Sequence, residues 1–151
     1  MTSSEDKALL RQAIELGRLC TPSDGAYSVG AVVTTRDGRR FTGYSRESGP
    51  TNHAEEEAIA KAVAAGADLA GATMYSSLEP CSTRKSKPRS CSRLILDHGF
   101  ARVVFAMYEP VHFVDCRGAE MLREAGLDVT VIGALAPEVE AVNTHILKSG
   151  K

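Results

Sequence analysis

Three side chains of the types that bind zinc are spread along the middle of this chain, and the fold must bring them together if they share one ion. His53 lies two residues before Glu55, Cys81 follows Pro80, and nine residues separate Cys81 from Cys91. Catalytic zinc sites usually have three protein ligands and an open fourth position, whereas structural sites are closed by four. No fourth Cys or His stands at a ligand spacing from these three. The pattern therefore predicts a catalytic zinc site, rather than a structural one or a core histidine with two buried thiols.

Glu55 has the position expected of a proton carrier beside that metal. An open zinc lowers the pKa of a bound water from about 15.7 to about 7, and a nearby carboxylate can then transfer protons. A His-x-Glu pair with a later Pro-Cys and a further Cys is typical of zinc deaminases, in which the glutamate is the general acid and base and does not bind the metal. Successive helix positions are about 100° apart, so Glu56 and Glu57 cannot face the same metal. The motif predicts hydrolytic deamination of a nucleobase-like ring, with Glu55 as the catalytic residue.

The composition indicates one domain and no polyanionic partner. The 151 residues, 43% of them hydrophobic, suffice for a single domain over residues 1–151 with a proper core. A net charge of −1 gives no global electrostatic reason to bind nucleic acid or an anionic membrane. No basic and apolar leader opens the chain, and no apolar run approaches the roughly 18 residues of a membrane span. We expect a cytoplasmic protein with Cys20 and Cys116 as reduced thiols, although a disulfide between them stays open.

Helical and strand patterns alternate along most of the chain. Ser3 and Asp6 form a capping-box signature before a helical stripe, Asp37-Gly38 separates two β-branched runs, and Asn52 is a plausible N-cap. The pattern predicts helices over residues 4–19, 53–65, 91–98, 119–125 and 137–147, and strands over residues 29–35, 40–44, 72–78, 102–106 and 128–132. Strands that alternate with helices after an opening hairpin imply an α/β fold: a five-stranded mixed sheet with helices on both faces.

With these motifs and this order of elements, the chain resembles the cytidine-deaminase superfamily. It is most similar to the deaminase domain of the bifunctional deaminase/reductase of riboflavin biosynthesis, over nearly its whole length. The matching segments are Val29-Gly30-Ala31-Val32, His53-Ala54-Glu55, Leu78-Glu79-Pro80-Cys81-Ser82, Arg117-Gly118 with the following Leu122 to Leu127, and Asn143. The wide gap between the cysteines favours the riboflavin branch, since cytidine and deoxycytidylate deaminases usually have two residues there.

The resemblance implies a three-layer α-β-α cytidine-deaminase-like fold and a Zn²⁺ cofactor. It also implies that His53, Cys81 and Cys91 are the zinc ligands and that Glu55 is the proton shuttle. The substrate implied is a small heterocyclic amine, a diaminopyrimidine ribosylamino phosphate. Members of the superfamily commonly assemble as homodimers or homotetramers, so the resemblance implies the same here.

Six further residues are candidate substrate contacts. Lys87 matches the family's lysine in the loop between the cysteines, Ser45 stands where the family has a histidine, and Glu109 where it has an aspartate. Asn52 and Glu79 flank the metal motifs, and Arg117 precedes a predicted helix start. A local basic cluster could hold a substrate phosphate or could be a solvated loop: Arg84, Lys85, Lys87, Arg89 and Arg93.

Three alternatives remain open from sequence. The Tyr27-Ser28-Val29-Gly30-Ala31 segment also resembles cytidine deaminases and keeps a nucleoside substrate possible. A nucleic-acid-editing deaminase would need stacking aromatics, and the chain has no Trp and 5% aromatic residues. A zinc-stabilised interaction domain without catalysis is the third alternative.

Overall fold

A five-stranded mixed sheet forms the centre of the computed structural model, which describes residues 3–23, 25–83, 87–110 and 116–147. Arg84 and Lys85 of the predicted basic cluster lie outside these residues. The helices are α1 (Ser4–Leu16), α2 (Ala54–Ala64), α3 (Cys91–Asp97), α4 (Gly118–Glu124), α5 (Ala136–Val142) and α6 (Thr144–Leu147). The strands are β1 (Gly30–Thr34), β2 (Arg40–Tyr44), β3 (Thr73–Leu78), β4 (Arg102–Met107) and β5 (Asp128–Val131).

The strand order is β2-β1-β3-β4-β5. β1 pairs antiparallel with both β2 and β3, whereas β3, β4 and β5 run parallel. Parallel neighbours end at the same edge of a sheet, so the residues that follow β3 and β4 are brought together there. This edge receives Glu79 and Cys81 from β3 and Glu109 from β4.

Helices cover both faces of the sheet, and alternating strand residues supply the two cores. Val33, Val103 and Phe105 pack on one face with apolar residues of α2, α3 and α4. Val32 and Val104 pack on the other face with apolar residues of α1 and α5. This period of two is what a sheet buried on both faces requires. The predicted three-layer fold with five strands is confirmed.

Local sequence explains where several elements begin and turn. Ser3 caps α1, since its hydroxyl accepts from the Asp6 N–H while the Asp6 carboxylate accepts from the Ser3 N–H. Gly38 has φ of +91° in the turn between β1 and β2, a conformation that glycine adopts without strain. Gly43 of β2 lies directly under α2, where an added Cβ would stand 2.4 Å from the Ala54 carbonyl oxygen. That close approach fixes the start of α2 against the sheet.

Two element predictions are wrong in detail. α2 begins at Ala54 with His53, not Asn52, as its N-cap residue, because His53 keeps an extended backbone while its N–H donates to Glu56. The closing helix is interrupted at Asn143, whose side chain bonds to the distant Ser28 backbone. Cys20 and Cys116 are free thiols, as expected. Within the described residues, no helix combines the length and apolarity needed to cross a membrane.

Candidate active site

The three predicted metal ligands meet at the sheet edge where β3 ends. His53 immediately precedes α2, Cys81 follows β3, and Cys91 is the first residue of α3. Their potential ligand atoms all lie within 4.8 Å of one another, and Cys81 and Cys91 are buried. Among the residues that the structure describes, this group has three members. Residues far apart in the sequence are thus brought together by one strand end and two helix starts.

The spacing of these atoms fits a tetrahedral zinc. The Nδ1 atom of His53 is 3.6 Å from Cys81 Sγ and 3.4 Å from Cys91 Sγ. Zinc bonds of about 2.3 Å to sulfur and about 2.0–2.1 Å to nitrogen, at a tetrahedral angle, place nitrogen and sulfur about 3.5 Å apart. The donor set and its spacing therefore suit one Zn²⁺ held by three protein atoms.

The surroundings of Cys81 favour its thiolate form, which is the form that binds metal. Hydrogen bonding to Cys91 and then to His53 lowers the pKa of the Cys81 thiol well below its ordinary value, against the opposing effect of burial. The backbone N–H of Cys91 donates to Cys81 Sγ at 3.2 Å. Both interactions stabilise negative charge on sulfur.

Glu55 is buried beside this group and faces the same cavity. Its Oε2 atom lies 3.1 Å from the hydroxyl of Ser76, which also lies 2.7 Å from the Leu78 carbonyl oxygen. Burial is the largest cause that raises the pKa of Glu55, with the nearby Cys81 charge adding to it. A carboxyl group with a raised pKa holds a proton more readily than an ordinary carboxyl group, as a general acid and base requires. Glu56 and Glu57 do not line this cavity and bond elsewhere.

Glu109 and Tyr27 also line this cavity. The Glu109 carboxyl makes no hydrogen bond within residues 3–23, 25–83, 87–110 and 116–147, although its backbone N–H donates to Glu79. Burial, followed by the charges of Cys81, Glu55 and Glu79, raises the pKa of Glu109 to about 7. Burial and the Glu109 charge raise the pKa of Tyr27 to about 12. The Glu109 carboxyl group therefore offers a hydrogen-bonding group to a ligand in the cavity.

Glu79 lines the cavity and joins two segments of the chain. Its Oε1 atom accepts from the backbone N–H of Glu109 at 3.1 Å, and its Oε2 atom accepts from that of Ala119 at 2.9 Å. The neighbouring Pro80 carbonyl accepts from the Cys116 thiol, and an added Cβ on Gly118 would lie 1.8 Å from that same oxygen. The strand end that carries Cys81 is therefore fastened to the start of α4.

The other candidate substrate contacts have partners within the protein. Ser45 is buried on the cavity wall, and its hydroxyl accepts from the Val29 N–H at 3.0 Å. Lys87 Nζ lies 2.7 Å from Asn52 Oδ1 and 3.0 Å from Glu56 Oε2. Asn52 and Lys87 are not among the described residues that line the cavity. They instead tie the loop between the cysteines to the start of α2.

The described cations of the predicted basic cluster pair with carboxylates. Arg89 and Arg93 both contact Asp97, at 3.1 Å and 3.0 Å. Arg117 lies 3.6 Å from Glu120 and is largely exposed, and it does not line the cavity formed by the described residues.

Sequence reasoning did not identify two residues at or near the cavity as site residues. Arg46 lies on the cavity wall with φ of +60°, and no local sequence signal marked it. Asn143 is buried, and its side chain accepts from the Ser28 N–H at 2.6 Å and donates to the Ser28 carbonyl at 3.1 Å. These bonds hold the segment that carries Tyr27, a relation over 115 positions that a local pattern does not reveal.

The fold, the His-Cys-Cys group and the buried glutamate together define a zinc deaminase type of site. Residues 3–107 match the family model described as the cytidine and deoxycytidylate deaminase zinc-binding region. The chain belongs to this family. The predicted zinc cofactor is confirmed by this membership and by the geometry of the three donors.

Similar proteins come from riboflavin biosynthesis. The chain is 43% identical over 120 residues to diaminohydroxyphosphoribosylamino-pyrimidine deaminase of Schizosaccharomyces pombe, covering 78% of this chain and 30% of that protein. It is 36% identical over 148 residues to the riboflavin biosynthesis protein RibD of Escherichia coli, covering 95% of this chain and 38% of that protein. The chain thus spans less than two fifths of the length of either relative.

Solved structures of such deaminases share the fold. The deaminase/reductase of Thermotoga maritima superposes with a TM-score of 0.80 at 30% identity, covering 95% of this chain and 42% of that one. The Aspergillus oryzae Rib2 deaminase in complex with DARIPP superposes with a TM-score of 0.79 at 25% identity, covering 93% of this chain and 90% of that one. The predicted similarity to the riboflavin branch is confirmed.

Proposed function

We propose that this chain is a zinc-dependent hydrolytic deaminase that releases ammonia from the aminopyrimidine ring of a phosphoribosylamino compound. The observation that carries the proposal is the placement of buried Glu55 on the same cavity as the His53, Cys81 and Cys91 group. The names of the relatives support the diaminopyrimidine substrate.

His53, Cys81 and Cys91 would hold the zinc through one nitrogen and two sulfur atoms. Zinc in a site with an open position supplies Lewis acidity and makes water a good nucleophile at neutral pH. The two cysteine thiols must lose their protons to bind the metal as thiolates. The contacts around Cys81 favour that loss.

Glu55 would transfer the protons of the reaction. Hydrolytic deamination adds water at the ring carbon that bears the amino group and expels that group as ammonia. Glu55 takes a proton from water, delivers it to the adjacent ring nitrogen, and then moves a proton to the departing amine. Burial raises the pKa of Glu55, which suits a group that must both accept and donate. The Ser76 hydroxyl at 3.1 Å holds the carboxyl group in place.

Cytidine or deoxycytidylate is the second candidate substrate, because the matched family model includes enzymes named for both. The Glu109 carboxyl lines the cavity and has no hydrogen bond among the described residues, so it favours a ring that presents an additional N–H donor, as a diaminopyrimidine does. The nucleic-acid-editing and non-catalytic alternatives have no such support from the cavity.

A screen for ammonia release tests the proposal. The zinc-loaded protein would be incubated with cytosine, cytidine, deoxycytidylate and the diaminopyrimidine ribosylamino phosphate, and we expect turnover of the last. Glu55→Gln should keep one zinc per chain and lose turnover by at least about 100-fold, the lower end of general acid–base contributions. Glu120→Gln, at an exposed position on α4, is the matched control and should remain active. Full activity of Glu55→Gln would remove Glu55 from this role.

A further inference from the structure

Arg46 is held in an unusual backbone conformation on the wall of the cavity. Its φ is +60°, and it is the one residue other than glycine with positive φ in the described part of the chain. Its N–H donates to the Asn52 carbonyl at 2.8 Å, which helps to hold this conformation. Left-handed backbone at a residue other than glycine is strained and is concentrated at functional sites. The conformation therefore suggests a function for the Arg46 side chain.

One nitrogen of the Arg46 guanidinium is hydrogen-bonded within the protein, and most of its N–H donors are unused. Nη2 donates to the Thr21 carbonyl at 3.0 Å and lies 3.7 Å from Cys20 Sγ. A guanidinium carries five N–H donors in a fixed plane, so this anchor leaves several unused. Arg46 makes no ion pair with any carboxylate of the described residues.

The other described cations that could serve the substrate are each close to a carboxylate. Lys87 contacts the Glu56 carboxylate and Arg117 contacts that of Glu120. Arg89 and Arg93 share Asp97. Each of these carboxylates partly offsets the positive charge that an anion would meet, whereas Arg46 has no carboxylate contact among the described residues. Among the described residues that line the cavity, Arg46 is the one lysine or arginine.

The cavity is lined by both acidic and basic side chains. Glu55 and Glu79 each stand two residues from a metal ligand, His53 and Cys81, and Glu109 lines the same cavity. Arg46 supplies a guanidinium to the lining, held by the Thr21 carbonyl. A ligand with an amine-bearing ring at one end and an anion at the other matches this distribution.

We propose that Arg46 binds the phosphate monoester of the substrate through its unused guanidinium N–H groups and thereby selects phosphorylated over unphosphorylated compounds. This inference rests on the proposed deaminase function for the identity of the ring, but the anion site itself can be tested without turnover. It replaces Lys87 and Arg117 as the principal phosphate contact. The anchor to Thr21 holds the guanidinium plane in place before the ligand arrives.

Binding of ribose 5-phosphate, with ribose as the uncharged comparison, tests the site in the zinc-loaded protein. Calorimetric titration should show binding of ribose 5-phosphate and a loss of about 10- to 100-fold in affinity for Arg46→Gln, the range for charge-assisted hydrogen bonds. Arg18→Gln, at an exposed arginine paired with Glu15, is the matched control and should bind like the unmodified protein. Equal affinity of Arg46→Gln and the unmodified protein, or no preference of the latter for ribose 5-phosphate over ribose, would overturn the proposal.

Arg46→Gly separates binding from folding, because glycine adopts a φ of +60° without strain. We expect this variant to unfold at a denaturant concentration no lower than the unmodified protein and to lose ribose 5-phosphate binding. A variant that unfolds much more readily yet binds ribose 5-phosphate normally would make Arg46 a structural residue and refute the assignment. With a ring substrate that is turned over, Arg46→Gln should raise KM for the phosphorylated form by the same factor and leave the unphosphorylated form unchanged. Absence of all turnover would count against the deaminase proposal alone.

Discussion

The carboxylate of Asp6 and the guanidinium of Arg102 form a two-pronged ion pair, in which Oδ1 to Nη1 and Oδ2 to Nη2 are each 2.8 Å apart. The pair joins the first turn of α1 to the start of β4. Asp6 also accepts from the Tyr75 hydroxyl at 2.7 Å and is almost completely buried. A helix on one face of the sheet is thus fixed to two central strands.

Removing one partner of this pair should destabilise the fold strongly. Arg102→Met leaves the Asp6 carboxylate buried without its counterion, and we expect a loss of about 3–5 kcal/mol in the free energy of unfolding. Urea denaturation measures the change. Arg93→Gln removes an exposed ion pair with Asp97 on α3 and should cost no more than about 0.5 kcal/mol. Equal effects of the two substitutions would contradict the prediction.

The same pair should make the free energy of unfolding depend on pH in the acid range. The hydrogen bonds from Arg102 hold the pKa of Asp6 in the folded protein well below its ordinary value of 3.8. Because this folded-state pKa is depressed, the stabilisation is complete above the unfolded pKa and is lost as pH falls toward the folded one. The difference in unfolding free energy between the unmodified protein and Asp6→Asn, both zinc-free, should shrink as pH falls below about 4. A constant difference down to pH 3 would exclude this linkage.

Glu79 should act as a support for the site, because both of its carboxylate oxygens accept backbone N–H groups. Glu79→Gln keeps the shape but replaces one acceptor with a donor, which leaves the N–H of Glu109 or Ala119 unpaired. We expect a loss of about 1–3 kcal/mol in unfolding free energy. Because the Glu109 backbone would shift, KM should rise more than kcat falls. A stable variant with normal KM and a large loss of kcat would instead indicate direct participation in the chemistry.

Zinc removal should abolish activity and lower stability in a way that returned zinc reverses. Zinc binds the folded arrangement of His53, Cys81 and Cys91, so each tenfold rise of free zinc above its Kd should add about 1.4 kcal/mol to the unfolding free energy. Chelator treatment followed by thermal melting measures the effect. Cys91→Ser should lose zinc, whereas Cys20→Ser, at a buried thiol outside the ligand group, should retain it. Zinc retained by Cys91→Ser would contradict the assignment of this ligand.

Predictions from sequence succeeded where the cause was local. The capping box at Ser3, the turn at Gly38 and the apolar run of β4 depend on neighbouring positions, so the fold could be predicted from them. The zinc motif could also be recognised from sequence, because metal chemistry restricts the residue types that bind zinc. Failures arose where a distant partner decides the conformation. Asn143 interrupts the closing helix through the Ser28 backbone, and Arg46 is anchored by Thr21.

The predicted substrate contacts stay predictions, to which the structure adds the partners of their side chains. Lys87 suggested a phosphate contact because it is a cation between two metal ligands, but its ammonium group is held by Asn52 and Glu56. A charged residue in a sequence indicates a possible substrate contact. The groups that surround it in the fold determine whether its charge is available to the substrate. The raised pKa of Glu109 likewise depends on burial that its position in the chain did not indicate.

The contact between Gly43 and the first turn of α2 has a consequence for how the ion is held. A β-carbon at that position would meet the Ala54 carbonyl oxygen at 2.4 Å and the Ala58 nitrogen at 2.7 Å, so α2 and the His53 that precedes it would have to move. A residue that supplies no atom to the metal thus sets where one of its ligands stands.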